Sequence, residues 1–512
     1  MTSSTLRTRE VWLLGATFLI AVAGLIYELI AATISSYLLG DSIRQFSLVI
    51  GVFLFAMGFG AYLSRFVERA MTGFIWAQIC LGVVGGFMAP VLFLTYAWMG
   101  AIALPLYTML IFVGILSGME IPLIARVLKD IGAAGFRFEN VLTVDYIGAL
   151  VASLAFPILV LPYLGLMSGS LLFGCLNLIV AGLSLWLFRE HAMRSQWLFW
   201  ALALILSATA FFKSEQLVSI TDAELFEDDI ILSETTSYQQ ITLTRFGDRV
   251  RLFLNHSIQF DTLDEYRYHE MLVHPAMQAA PRTENVLIMG GGDGMAAREV
   301  LRYDSVTQLT LVDLDPRVTS LFRDHPELTP LNDRALSDPR VKIVNQDAWS
   351  FAQANHQSFD VIILDLPDPK NVALSKLYSR QFYALLIERL GANGVLITQS
   401  GSPFFARDAY WSVVETLKTT RNPIQPGEEL WVQPYHTYVP SFGEWGFTLA
   451  ATRQLQPRPM VLPENLKYLD ENSWAAAQLF GPDMGPTEVE ANTIQSHALV
   501  EYYLAGWDAW FR

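Results

Sequence analysis

The chain has 512 residues, 53% of them hydrophobic and only 16% charged, with a net charge of −15. An apolar excess of this size exceeds what one soluble core requires, and the acidity disfavours nucleic acid and anionic lipid headgroups as partners of the charged part. Two cysteines, Cys80 and Cys175, both inside apolar runs, exclude a disulfide framework.

In chain order, seven apolar segments come first: Val11 to Leu38, Phe46 to Ser64, Phe74 to Trp98, Ala101 to Leu128, Val141 to Leu161, Leu166 to Phe188 and Trp197 to Phe212. Most reach the ~20 residues a helix needs to cross a bilayer. Residues 1–213 are therefore expected to form a transmembrane helical domain of about seven spans, in contact with the lipid of a cell (inner) membrane.

Arg7, Arg9, Arg65, Arg69, Arg126, Lys129, Arg137, Arg189 and Arg194 fall on one side if all seven segments cross, leaving only Arg44 in the loops opposite. The positive-inside rule then puts the N-terminus in the cytoplasm and the C-terminal part outside. If Trp197 to Phe212 lies in the interface, six crossings leave both in the cytoplasm, where a cytoplasmic substrate would find them. Three acids, Glu28, Glu120 and Asp145, lie within apolar segments. They are expected either to line a polyamine or proton path, or to pair with Tyr27, Tyr146 or Arg126 and fix the helix packing.

At Lys213-Ser214-Glu215 the composition changes: residues 1–213 carry a net charge of +2 and the remainder −17. Ile230 to Leu232, Gln240 to Thr244 and Val250 to Leu254 read as short strands, the last two joined at a Gly247-Asp248 turn, so 214–280 is a small β subdomain.

Val286-Leu-Ile-Met-Gly-Gly-Gly-Asp-Gly294 is a buried strand running into a glycine turn, followed by a helix over Met295 to Leu301. The strand Gln308 to Asp313 ends in an acid 19 residues beyond Gly294, the spacing at which a carboxylate reaches a ribose hydroxyl. A third strand, Phe359 to Leu364, terminates in Asp365-Leu-Pro-Asp368-Pro369, at the edge where open α/β sheets place ligands. Alone, such a loop reads as a turn cap, Asp347 as the cap of a helix over Ala348 to Ala354, and Tyr268 and His269 as half-buried core residues. Strands at Val395 to Gln399 and Phe447 to Ala450 continue the alternation of a Rossmann-like domain over 281–455. The extension 456–512, entered near Pro457, carries no motif.

Acids at 293, 365 and 368 around a nucleoside select the ligand. Asp293 in the glycine turn repels the carboxylate of S-adenosylmethionine, whereas decarboxylated S-adenosylmethionine has none and brings an amine.

From Thr236 to Gly446 the chain resembles the spermidine synthases, the polyamine aminopropyltransferases. The ordered motifs are Tyr238-Gln239, Ile258-Gln259, Asp264 to Glu270, Gly290 to Gly294, Asp313-Leu-Asp315, Asp347-Ala348 and Asp365-Leu-Pro-Asp368-Pro369. With the apolar runs read as a multi-pass helical membrane domain and the short strands as a small β subdomain, the resemblance implies an α/β Rossmann-like, methyltransferase-type domain after them. It implies transfer of the aminopropyl group of decarboxylated S-adenosylmethionine, a co-substrate and not a bound cofactor, to putrescine or a related amine, with no metal and no nucleic acid. By it, Asp365 is the general base, and His269, Asp293, Asp368 and Tyr268 bind the amine. Gln239, Asp313, Asp347, Ala348, Gly290 and Gly292 then bind the nucleoside of the donor or of methylthioadenosine. A homodimer is allowed but not required. The chain departs from the family pattern at Ala348, where Gly is usual, at Leu366-Pro367, where small hydroxyl or thiol residues are usual, and at Asn371-Val372, where Gly-Pro is usual. These positions flank the adenine and acceptor sites, so acceptor identity stays open. Two rivals also stay open, a methyltransferase and a polyamine transporter or sensor whose synthase-like domain only binds.

Overall fold

The structure, a computed structural model, describes residues 3–39, 42–99, 102–130, 138–190, 192–214, 216–217, 228–455 and 460–511. Ala101, Arg137, Glu215 and Pro457, used above, lie outside them. The chain divides into two units, Met1–Ile230 and Ile231–Arg512.

The first unit is helical: α1 Ser3–Leu39, α2 Ser42–Ser64, α3 Ala70–Gly86, α4 Met88–Met99, α5 Ala103–Asp130, α6 Phe138–Ala155, α7 Leu161–Leu187 and α8 Arg194–Phe212. The third apolar run thus divides at Phe87, where Pro90 removes the helical donor for the Gly86 carbonyl and Ser170 Oγ donates to it instead at 2.9 Å. Residues Phe138–Leu187 read as one helical stretch of 50 residues. It nevertheless folds back on itself, because Gly165 adopts φ 69°, open to glycine, and a Cβ on Gly169 would lie 3.0 Å from Val160. The direction of each arm is fixed by α1. Arg9 and Trp12 at the start of α1 donate to Leu187 O and Ser184 Oγ, while Gly169 sits beside Ile30, so α7 runs antiparallel to α1. Val141 packs in the cluster of Leu13 and Ala16, and Phe156 and Val160 pack in the cluster of Ile30 and Ile34, so α6 runs parallel to it.

Taken with α3 and α4 as one pass, the chain therefore traverses this unit seven times. Gln196 Nε2 at the start of α8 bonds Thr72 O at 3.0 Å, and Ser214 just past its end bonds Ser168 at 2.9 Å, at the end away from Arg9. Helix α8 is built inside out: Gln196, Ala203 and Ser207 are its buried residues, while Leu198 (60% exposed), Phe199 (53%) and Ile205 (66%) face outward. Buried Glu120 accepts a hydrogen bond from Gln78, and Tyr27 accepts one from Asn177. Arg126 donates to the carbonyls of Ser64, Val67 and Glu68. Among the described residues none of Glu28, Glu120 and Asp145 hydrogen-bonds Tyr27, Tyr146 or Arg126; the polar partner of Glu120 is Gln78.

The second unit contains two sheets. Strands β1 Asp229–Thr235, β2 Gln240–Phe246, β3 Arg249–Leu254 and β4 Ser257–Asp261 form a meander in sequence order. The larger sheet comprises β5 Asn285–Gly290, β6 Gln308–Asp313, β7 Val341–Asn345, β8 Phe359–Asp365, β9 Leu390–Gly401, β10 Trp431–Val439 and β11 Gly443–Ala451, in the order β10-β11-β9-β8-β5-β6-β7. β9 through β7 are parallel, and β10 and β11 add an antiparallel hairpin at one edge. Alternate residues feed two cores. Val286, Ile288, Val361 and Ile363 point into one, and Leu287, Met289, Ile362 and Leu364 into the other, as period-two strands covered on both faces require. The chain order reverses between β5 and β8, so the crevice beyond their C-terminal ends is the binding edge.

Candidate active site

The β5/β8 register sets Gly290 opposite Asp365. A Cβ on Gly290, whose φ is 85°, would lie 1.9 Å from the Asp365 carbonyl oxygen, so only glycine lets the turn and the acidic loop meet. A Cβ on Gly292 would collide with Asp313, whose Oδ2 instead accepts a hydrogen bond from Gly292 N at 3.1 Å while Oδ1 accepts one from Asp315 N at 2.9 Å. The carboxylate of the second strand is thereby aimed by backbone donors toward the turn.

All eleven residues singled out in the sequence, Gln239, Tyr268, His269, Gly290, Gly292, Asp293, Asp313, Asp347, Ala348, Asp365 and Asp368, line one cavity of about 1200 Å³. That is ample for a nucleoside donor with a small amine beside it.

Helix Glu265–Ala279 supplies Tyr268, whose hydroxyl donates to Asp365 Oδ1 at 2.7 Å and not to Oδ2. Burial raises the Asp365 carboxyl above the ordinary carboxylate range, against the opposing pull of His269 and of the Tyr268 hydrogen bond. A base so shifted accepts a proton more readily near neutral pH. Asp293 caps its own turn through Met295 N (2.9 Å) and is pushed by burial to about 6, with neighbouring Asp365 adding to the rise. Asp313 is likewise raised by burial to about 6. His269 Nδ1 lies 2.8 Å from Glu265 Oε2. Burial pulls its pKa down, but Glu265 and then Asp293 and Asp365 outweigh it and bring the imidazole to about 9, so at neutral pH it is a cation among acids.

Other residues divide their work between structure and ligand. Asp347 does cap its helix, accepting from Ser350 N at 2.9 Å, and also faces the cavity. Gln239 bonds Asp315 Oδ2 at 3.1 Å, which holds the β meander to the end of β6.

Three contributors were not legible. Gln399 Nε2 donates to Leu366 O at 2.8 Å and to Asp368 Oδ1 at 3.2 Å, bracing the acidic loop. Tyr378 donates to the carbonyls of Leu366 and Pro367, at 3.0 and 3.1 Å. Tyr503, in the extension without a motif, donates to Asp368 Oδ2 at 2.8 Å. Gln399 could have been found from its place at the end of a predicted strand; Tyr503 carries no local signal.

A parallel sheet edged by an antiparallel hairpin, a glycine turn and a carboxylate at the end of the second strand define a Rossmann-like transferase built around a nucleoside. Residues 265–458 match the Spermine/spermidine synthase domain family. Over 499 residues the chain is 41% identical to the polyamine aminopropyltransferase of Leptospira interrogans, covering 96% of this chain and 98% of that one. Over 503 residues it is 42% identical to polyamine aminopropyltransferase 2 of Ralstonia nicotianae, covering 96% and 97%. The chain belongs to the polyamine aminopropyltransferase family. It is also 26% identical to a crystal structure of spermidine synthase in complex with the transition state analogue AdoDATO, with a TM-score of 0.45, covering 49% of this chain and 86% of that one.

Proposed function

We infer that this chain transfers the aminopropyl group of decarboxylated S-adenosylmethionine to putrescine or a related amine and releases methylthioadenosine. The observation that carries the reading is the Gly290–Asp365 register, which sets a carboxylate held at Oδ1 by Tyr268 against the nucleoside turn.

The acceptor arrives as an ammonium and must lose a proton to attack. Asp365 Oδ2 takes that proton, the amine nitrogen attacks the propyl carbon attached to the sulfonium, and the carbon–sulfur bond breaks with its electron pair left on sulfur. The cationic sulfonium becomes a neutral thioether, and its positive charge passes to the ammonium of the new carbon–nitrogen bond or, with the proton, to the base. Asp293 and Asp368 hold the remaining ammonium groups, and His269 offsets part of the carboxylate charge when the site is empty. Asp313 reaches the ribose, while Asp347, Ala348 and Gln239 border the nucleoside. The same Asp293 disfavours S-adenosylmethionine, whose carboxylate would face it. Asp365→Asn keeps the shape and removes the base, so kcat drops by roughly 10²–10⁴-fold while methylthioadenosine binding persists. Product formation at the parental rate would remove Asp365 from the mechanism.

The same reading sets α1–α8 in the cell membrane. Among the described residues six helical stretches are long and apolar enough to cross, the fifth of them the folded-back α6–α7 pair. The apolar outer face of α8 supports lipid around it, and its 19 residues, about 28 Å of helix, suit a span better than an interfacial position. Seven passes with the arginines gathered at the α1 start put Ser214 on the non-cytoplasmic side.

A further inference from the structure

Asp368 is held by an element that the acidic loop and the glycine turn do not contain. Its Oδ2 accepts from Tyr503 and its Oδ1 from Gln399, and the Trp507 ring lies 6.1 Å from the Tyr503 ring, one helical turn further on. Tyr503 and Trp507 both line the cavity and both ride on helix Ala498–Phe511, beyond the stretch that matches the synthase domain.

That helix is fixed in place. Trp507 stacks on Phe405 with ring centroids 5.0 Å apart, and Trp510 lies 4.9 Å from Phe404. A Cβ on Gly506 would fall 2.6 Å from Ala406 Cα, so helix and loop backbones touch. Just upstream, Asn492 Nδ2 donates to Ser375 O (2.9 Å) and Tyr378 O (3.2 Å), which ties the extension to the segment following the acidic loop.

We propose that helix Ala498–Phe511 is the far wall of the acceptor-amine subsite, with Tyr503 positioning Asp368 for the acceptor's distal ammonium and Trp507 limiting how much chain passes beyond it. The proposal rests on the aminopropyl-transfer reading. A buried carboxylate keeps its charge and its rotamer only if donors hold it, and two neutral donors do so while leaving lone pairs on both oxygens for an N–H⁺ group. Asp365 and Asp368 then mark two ends of the acceptor: Tyr268 braces the reacting end and Tyr503 the distal end. Trp507, next to the distal end, offers an aromatic wall to methylene groups. A diamine ends at Asp368; a triamine has to displace that wall.

The test uses full-length chain in detergent, with Tyr503→Phe and Trp507→Ala. Steady-state kinetics are measured with putrescine, cadaverine and spermidine as acceptors, together with calorimetric binding of each amine to the methylthioadenosine complex. Tyr503→Phe is expected to raise the acceptor KM and Kd about tenfold or more, the scale of a lost hydrogen bond to a charged group, with the donor KM within about twofold and kcat falling less than KM rises. Trp507→Ala is expected to raise spermidine over putrescine in kcat/KM and in affinity by about tenfold. Equal losses toward donor and acceptor in Tyr503→Phe would reduce the tyrosine to a structural part and overturn the proposal. So would an unchanged amine preference in Trp507→Ala. If the parent chain turns over no amine, the transfer reading falls, and the binding isotherms still decide whether the helix walls an amine subsite.

Discussion

At the scale of single residues, the site gathers four carboxylates in the partly buried wall of one cavity. Burial raises the carboxyl pKa of Asp293, Asp313, Asp365 and Asp368, so each gains from a cationic partner in the cavity. Asp293, at about 6, carries its charge above that pH and loses it below. Acceptor kcat/KM should therefore fall as pH drops through about 6. Asp293→Asn removes a like charge from beside Asp365, so its acid limb should move to lower pH, with a plateau about tenfold down from the lost ammonium partner. A pH–rate profile of the two proteins from about pH 5 to about pH 8 checks this, and a limb that stays in place or moves up contradicts it. The acids were legible because each ends a strand or sits in a glycine turn, positions that local pattern alone specifies. Tyr503 was not, since it meets Asp368 from 135 residues away and only the packing of the last helix brings it there.

At the scale of elements, one buried carboxylate holds residues 467–469 of the extension. Glu270, on helix Glu265–Ala279, accepts hydrogen bonds from the backbone N–H groups of Lys467, Tyr468 and Leu469 at 2.8–2.9 Å. Glu270→Ala leaves three donors without their acceptor and should cost about 2–4 kcal/mol. The expected readout is a melting temperature lower by several degrees and new protease cleavage between residues 460 and 470. An unaltered melt and digest would show that the extension is held elsewhere.

Strand β6 was read to the residue because Gln308–Asp313 is an apolar run between turns. Strands β7 and β10 were missed for a physical reason: they are the two edges of the sheet. An edge strand is half covered and tolerates Lys342 in β7 or Pro434 and His436 in β10, which erase the apolar pattern. β4 was too short to register apart from its neighbours.

At the scale of the whole molecule, one chain joins a helical unit with an apolar exterior to an acidic α/β unit. The apolar runs made the first legible as helices, including the break between Leu161 and Leu166 where Gly165 reverses the chain, while the outward face of α8 is not distinguished by hydropathy alone. Seven passes make a specific prediction. A reporter active only in the cytoplasm should be silent when fused after Ser214 and active when fused after Asp130; activity at both positions would reduce the count to an even number of crossings.

The central claim is aminopropyl transfer, and its most direct test is methylthioadenosine release by the purified full-length chain. Decarboxylated S-adenosylmethionine is supplied with and without a diamine, and S-adenosylmethionine serves as a parallel donor. Amine-dependent release from the decarboxylated donor, with none from S-adenosylmethionine, is the predicted result. Amine binding with no methylthioadenosine released would contradict the account and leave a protein that holds polyamines without altering them.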